Sequence, residues 1–450
     1  MRILTVSVVL LGVTAFGEVT VTVDWSAERG PIGEVNSVGQ PPITGWVGTN
    51  MFHHLAKIGA KYSRLHDVGG CFGGGRFVDI PNIFPDFEAD ENDPKNYRFQ
   101  FTDRLLEGLA AVGCEPFYRL GVSIENQQRI ERRHILPPKD FAKWARICEH
   151  IIRHYNEGWA GGYHLNIRYW EIWNEPDLRD EASIHNETWT GTREQFFDFY
   201  ETAAKHLKKC FPNLKIGGPA LARSVDYASE FLTEMEKRRV PIDFFSWHIY
   251  AGYPEKLTIK AGKYRALLDA HGYTETESIL NEYNFVNDWQ LGYVRCLKTI
   301  HSLKGASFFL ACMCAAQPSS IDMLMYYDTR PSVFCGIFDF VTYEKLKGYY
   351  PMKWYGEFYE DGMREIPADT LPEHVYALCG RGKDGRTRTV LTYYTEEDDV
   401  PEREIKLDFG KTAEYEVLLL DETHDAQSMG TVKKLTFTLK PHTCLQIIEK

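Results

Sequence analysis

Along most of the chain, short apolar runs alternate with longer segments in which apolar residues return every three or four positions. Lys61–His66 and Glu115–Leu120 read as strands. After them, Phe141, Trp144, Ala145, Cys148, Ile151, Ile152 and Tyr155 share one face of a helix. Pro137, Pro138 and Asp140 stand at its start, where missing donors and negative charge are tolerated. The rhythm continues with strands over 167–173, 214–218, 243–250 and 278–283. Helices are expected over 194–210, 228–238, 263–271 and 292–303, and a last apolar run opens at 306–311. With one early strand near 32–37, roughly eight strand–helix units result, which predicts an α/β fold closed as a (β/α)8 TIM barrel. An open doubly wound sheet is the alternative, but no GxGxxG or GxxxxGK[ST] loop follows an early strand.

The texture changes towards the C-terminus. Segments 387–394, 404–409, 415–420, 435–439 and 443–448 are short, alternate apolar with polar, and are separated by turn residues. They predict an all-β, sandwich-like accessory domain. Residues 18–24 alternate in the same way and are expected to join it as a strand, a cap on the barrel bottom being the alternative. Residues 1–17 have a charged start, a short apolar core and the small residues Ala15 and Gly17 around Phe16. They read as a signal peptide rather than a membrane span, a buried N-terminal strand being the alternative, so a secreted or periplasmic protein is expected. The expected organisation is a leader over 1–17, a strand segment over 18–30, the barrel over 31–350 and the β domain over 351–450.

Composition narrows the partners. A formal net charge of −12 opposes nonspecific binding to nucleic acid or anionic membrane. Aromatic residues make up 14% of the chain, enough both to fill a core and to offer flat faces to sugar rings. The ten cysteines have irregular spacing with no CxxC pair, which suits small buried hydrophobes better than a metal centre. Adjacent His53 and His54 lack HExxH spacing, no GxSxG occurs, and Gly73–Gly75 looks like a flexible loop. No metal or cofactor is expected.

Candidate chemistry sits where apolar strands stop. In Trp170-Glu-Ile-Trp-Asn-Glu-Pro-Asp-Leu178, polar Asn174 and Glu175 close a strand, with Glu171 as an internal alternative. In Leu280-Asn-Glu-Tyr-Asn-Phe285, Glu282 does the same, with Tyr283 beside it. The two glutamates are 107 positions apart (175 to 282), which fits the fourth and seventh strands of a barrel whose active face is its C-terminal rim. Glycoside cleavage needs two carboxyl groups with opposed roles, one protonated and one ionised. Arg64 and His66 end another strand, and His248 and Tyr250 another, so all four are candidate substrate-binding or supporting groups. Arg64 near Glu282 would keep that carboxylate ionised, and Asn174 could donate to a sugar 2-hydroxyl. Singly, each has a blander structural reading, and Trp170, Trp173 and Trp247 read as core. The coincidence of these groups at four strand ends favours a site.

Together these motifs resemble glycoside hydrolase family 39, within clan A of the barrel hydrolases, over roughly residues 30–350. The similarity is densest in Trp170–Leu178 continued by Thr188–Tyr200, and extends to Ser63–His66, Asp243–Tyr250 and Leu280–Asn284. The resemblance implies Glu175 as acid/base, Glu282 as nucleophile, and retention of configuration. It also implies an accessory β-sandwich and a glycoside or oligosaccharide substrate from plant or microbial glycans. The expected activity is exo-acting on a neutral sugar of xylose, arabinose or galactose type. An α-L-iduronidase-like enzyme on uronic acids and a non-catalytic carbohydrate-binding barrel are the alternatives. One departure concerns the eighth strand, where Asp322–Asp328 lacks the tryptophan that the family's xylosidases carry.

Overall fold

The computed structural model describes residues 19–46, 49–68, 77–123, 135–178, 188–368 and 371–450. The expected leader over 1–17 lies outside them. Eight parallel strands close into a barrel: β1 (Glu34–Gly39), β2 (Tyr62–Leu65), β3 (Glu115–Leu120), β4 (Tyr169–Ile172), β5 (Lys215–Leu221), β6 (Phe244–Ala251), β7 (Glu277–Phe285) and β8 (Met323–Tyr326). Each pairs with the next, and β8 pairs with β1.

Strand periodicity sorts the barrel interior into layers. Tyr62, Phe117, Tyr169, Phe244, Ile279, Met323 and Met325 form one small apolar cluster. Two residues further along their strands, Arg64, Arg119 and Glu171 are fully buried, and Arg119 registers with Glu171 across β3 and β4. The period of two that makes an apolar floor therefore also stacks a charged layer on it, towards the C-terminal rim.

The helices begin and end on local chemistry. Asp140 caps the helix α1 (Phe141–Glu157) by accepting from the Lys143 N–H, and Gly158 closes it at φ 75°. Thr192 and Gln195 form a reciprocal capping box on α2 (Arg193–Cys210). Three further helices matter here: α3 (Val225–Lys237), α4 (Glu255–Ala270) and α5 (Leu303–Ala316).

Two expectations need correction. The apolar run at 306–311 belongs to helix α5, while the eighth strand, Met323–Tyr326, lies within the Asp322–Asp328 segment where the resemblance places it. That helix is buried over nearly its whole length because it touches the barrel on one side and β-domain strands on the other. A segment buried all round carries no amphipathic period to distinguish it from a strand. Helix α4 also starts eight residues before the expected Lys263, for a reason that lies in the site.

The C-terminal region forms two sheets. One has seven strands, in the order Asp425–Val432, Tyr415–Leu420, Cys444–Glu449, Thr387–Tyr393, Val375–Arg381, Arg364–Ile366 and Gly30–Pro31. The other joins Val19–Thr22, Arg403–Asp408 and Thr436–Leu439. Their facing side chains, among them Val21, Ile405, Leu407, Leu391, Val417 and Ile447, share one core, as in a sandwich. Val19–Thr22 runs parallel to Arg403–Asp408, so the N-terminal strand completes this layer. All nine described cysteines are unpaired, and all but Cys210 are buried. No single described helix is long and apolar enough to cross a membrane.

Candidate active site

The backbone after β4 is bent to present two consecutive polar side chains. Trp173 and Glu175 both lie in the left-handed region, at φ 72° and 50°, which costs about 1–3 kcal/mol for each such residue. Flanking strands hold the bend: the Trp173 N–H donates to the Leu120 carbonyl (2.8 Å) and the Glu175 N–H to the Ala220 carbonyl (2.9 Å). Asp177 then accepts the N–H groups of Ala222, Arg223 and Ser224, tying this loop to the one after β5. Close approach of β5 requires its Gly217-Gly218 pair. A Cβ at Gly217 would stand 2.2 Å from the Phe244 carbonyl oxygen, and one at Gly218 2.7 Å from that of Ile172.

Glu282 reaches the same point from β7, opposite His248 of β6 in register. Carboxylate oxygens of Glu175 and Glu282 and a ring nitrogen of His248 all lie within 4.8 Å of one another. Nδ1 of His248 is 2.7 Å from Glu175 Oε1 and 3.5 Å from Glu282 Oε2. The other Glu282 oxygen accepts from the Tyr250 hydroxyl at 2.6 Å.

Beneath them, Arg64 joins the groups. Its Nε donates to Glu171 (2.7 Å), Nη1 to Glu282 Oε2 (3.1 Å) and Nη2 to Asn174 Oδ1 (2.6 Å). Glu171 is completed by the Asn281 amide. Glu171 thus holds Arg64 from within the barrel, away from the rim, as its mid-strand position suggests. Asn174 Nδ2 is buried with no protein partner, so it is the donor this network leaves for a ligand hydroxyl.

The electrostatics separate the two glutamates. Burial first, and then the charge of Asp177, push the Glu175 carboxyl up to about 8, with Arg64 opposing. Burial also raises Glu282, to about 7, but His248, Arg64 and the Tyr250 hydrogen bond all favour its charged form. Glu282 therefore ionises first and Glu175 keeps its proton longer. Burial lowers His248 to about 4, so the imidazole stands neutral between them. Burial and Glu282 hold the Tyr250 hydroxyl well above its ordinary value, so it remains a donor. Burial opposes the Arg64 charge, but Glu171 and Glu282 outweigh it and its pKa is raised.

Above the pair opens a cleft of about 680 Å³. Tyr250, Trp289, Phe334 and Tyr327 line it as an aromatic group: Tyr250 meets Trp289 edge-on at 4.9 Å, and Tyr327 lies 6.2 Å from Phe334. Trp289 is 52% exposed, unlike the buried Trp170, Trp173 and Trp247, which are core as their patterning suggests. Tyr327, in the tryptophan-free eighth-strand segment, bridges Gln40 (2.7 Å) and Asp67 (3.3 Å).

Of the residues singled out in the sequence, Asn174, Glu175, Arg64, His248, Tyr250 and Glu282 converge. His66 lies one layer away, accepting from Arg119 Nε (3.1 Å) with its other nitrogen 3.1 Å from Asp67; the cleft is lined by Asp67, not His66. Tyr283 corrects the expectation of substrate contact. Alternation along β7 turns it outward, where it is 1% exposed against Tyr326 and the α5 layer. Asp67, Trp289, Tyr327 and Phe334 were not legible as site residues, although Asp67 follows the Ser63–His66 strand directly.

Among the described residues, two side-chain clusters have donor atoms close enough for a metal ion. In Glu175–His248–Glu282, the Arg64 guanidinium already holds positive charge against Glu282. In Glu149–His206–Cys210, Arg153 pairs with Glu149 at 2.8 Å. In both, a cationic side chain competes for the carboxylate.

Comparison with known proteins finds similarity over part of the chain. Residues 77–266 match the model of glycosyl hydrolases family 39. The chain is 29% identical over 214 residues to a beta-xylosidase of Geobacillus stearothermophilus, covering 45% of this chain and 39% of that one. It is 32% identical over 209 residues to a beta-xylosidase of Caldicellulosiruptor saccharolyticus, covering 43% and 37%. The matches thus span under two fifths of either relative's length. A solved glucosidase from Croceicoccus marinus superposes with a TM-score of 0.76 at 20% identity, over 97% of this chain and 100% of that one, and shares the fold. Residues 77–266, the stretch that holds Asn174, Glu175, His248 and Tyr250, are thus similar to glycosyl hydrolases family 39.

Proposed function

We propose that the protein is a retaining, exo-acting glycoside hydrolase that removes a neutral sugar of xylose, arabinose or galactose type from plant or microbial glycans. The observation that carries this reading is the approach of Glu175 and Glu282 to within 4.8 Å, oxygen to oxygen. Inverting enzymes hold their carboxyl groups about 6.5–9.5 Å apart to admit a water, and retaining enzymes about 5–5.5 Å apart. A binding-only barrel has no need to hold two carboxyl groups together against their repulsion.

In the first step, Glu282 attacks the anomeric carbon while Glu175 gives its proton to the departing glycosidic oxygen. The product is a glycosyl ester on Glu282 and a free alcohol. In the second, Glu175, now a carboxylate, takes a proton from water as that water attacks the same carbon, and Glu282 leaves. Asn174 Nδ2 is placed to donate to the sugar 2-hydroxyl, and Tyr250 and Arg64 hold the nucleophile. The cleft residues on the Glu282 side, Tyr250, Trp289, Tyr327 and Phe334, are aromatic and uncharged. Arg64 is spent on Glu171, Asn174 and Glu282. Both facts favour a neutral sugar over a uronate in the cleavage position. Export, to the periplasm or outside the cell, is the matching localisation and rests on residues 1–17.

The test is chemical rescue. Glu282→Gly protein, given activated aryl glycosides of the candidate sugars and azide, should regain turnover and yield the glycosyl azide of inverted configuration. Absence of rescue across xylosides, arabinosides, galactosides and iduronides would reject Glu282 as nucleophile.

A further inference from the structure

Helix α4 explains its own early start. Lys256, Ile259, Lys260 and Lys263 recur at the spacing of one helical face, and all four line the cleft. An adjacent face carries Leu257, Ala261, Tyr264 and Leu268 into the core. The first turns of α4 therefore stand as a wall of the cleft, and their positive face looks into it.

Lys260 shows how the wall is seated. Its Nζ donates to the His248 carbonyl (2.8 Å) and the Ala222 carbonyl (3.3 Å), which fixes α4 over the ends of β5 and β6. Arg223 faces the wall from the loop after β5. Lys256, Lys263 and Arg223 are exposed, and none forms an ion pair with a described residue. Lys256 lies 4.5 Å over the Tyr253 ring, and Tyr253 and Ile259 add exposed apolar surface. Among the described residues, the acids lining the cleft are Asp67 and the two catalytic candidates. In a chain of net charge −12, three cations with no ion-pair partner among the described residues are a local reversal of sign.

Their side of the cleft has a chemical meaning. Arg223 and Lys260 act electrostatically on Glu175, and neither is among the main charges acting on Glu282. The loop bearing Arg223 is tied to the Glu175 loop by Asp177. Arg223 and Lys260 thus mark the Glu175 side of the cleft, and Lys256 and Lys263 line the cleft from the same helical face as Lys260.

We propose that Arg223, Lys256 and Lys263 form a leaving-group subsite for an anionic sugar, one bearing a carboxylate or a sulfate, next to a neutral sugar at the cleavage position. The inference rests on Glu175 as the proton donor. Exposed cations attract such a group through a screened field and a few flexible contacts, so the effect falls on binding and weakens with salt.

Two aryl glycosides test it, with the same neutral glycone and a phenol carrying either a carboxylate or its methyl ester. The ratio of their kcat/KM values is compared between the wild type and Lys256→Glu/Lys263→Glu, which cancels the intrinsic leaving-group chemistry. The ratio should fall about tenfold in the variant, through KM, and should also fall for the wild type at high ionic strength. A sulfonate-bearing phenol, run in parallel, separates carboxylate from general anion recognition. A ratio unchanged by the double substitution overturns the subsite. If no aryl glycoside is turned over, calorimetry of wild type and variant with a uronate-bearing oligosaccharide and its neutral parent decides separately. Anion-selective binding that is lost in the variant keeps the subsite while the hydrolase reading fails, and equal binding of both ligands rejects it.

Discussion

The Tyr250 hydroxyl donates to Glu282 Oε1 at 2.6 Å, while Arg64 faces the other oxygen, Oε2, at 3.1 Å. One carboxylate thus has a neutral donor on one oxygen and a cation on the other. Both favour its charged form against a burial that would neutralise it.

Removing the neutral donor isolates its share. Tyr250→Phe should lower kcat/KM about 10- to 100-fold, the worth of a hydrogen bond to a charged group. It should also move the acidic limb of the pH profile upward, because the charged form of Glu282 loses support. A limb that stays in place would show that the hydroxyl only packs.

The pH dependence of the wild type follows from the two carboxyls. On the proposed mechanism activity needs Glu282 ionised and Glu175 protonated, so kcat/KM should rise through about 7 and fall through about 8. A narrow maximum between these limbs is the expected profile with an aryl glycoside. An alkaline limb that persists in Glu175→Gln, assayed with an activated leaving group, would assign it elsewhere.

Stability should move the other way. Glu175 has a folded pKa near 8, above its unfolded value near 4.5. At low pH it is protonated in both states and costs nothing. As pH rises from the unfolded value through the folded one, the buried charge becomes fully destabilising, on the order of 5 kcal/mol. Glu175→Gln should therefore match the wild type in Tm near pH 4 and exceed it by several degrees near pH 9. Equal Tm values at both pH values would contradict the burial of this carboxyl.

The close contact of β5 with β6 gives a purely steric prediction. Gly217→Ala would bring a methyl group to 2.2 Å from the Phe244 carbonyl oxygen, in a layer of backbone that cannot rotate away. Urea unfolding should show a loss of about 2–4 kcal/mol. A near-neutral result would mean that the strands have room to part.

The sequence by itself determined the strand–helix alternation, the closure into eight units, the β texture of the C-terminus, and the strand ends on which Glu175 and Glu282 stand. Those features are local or periodic: alternation, helical spacing and a polar residue ending an apolar run are visible within a dozen positions. Tertiary structure alone decided the rest. The role of Glu171 depends on Arg64, 107 positions earlier, and that of Asp67 on Tyr327 from the eighth strand. Tyr283 looked like a neighbour of the site because it follows Glu282, and the pleat of β7 turns it to the other face. The start of α4 was hidden because its lysines face a cleft rather than bulk water, which from sequence alone looks like an ordinary solvated surface. Residues that form a site by meeting across a closed barrel carry no mark of that meeting in their own neighbourhoods, because the distance that matters is set by closure and not by the chain between them.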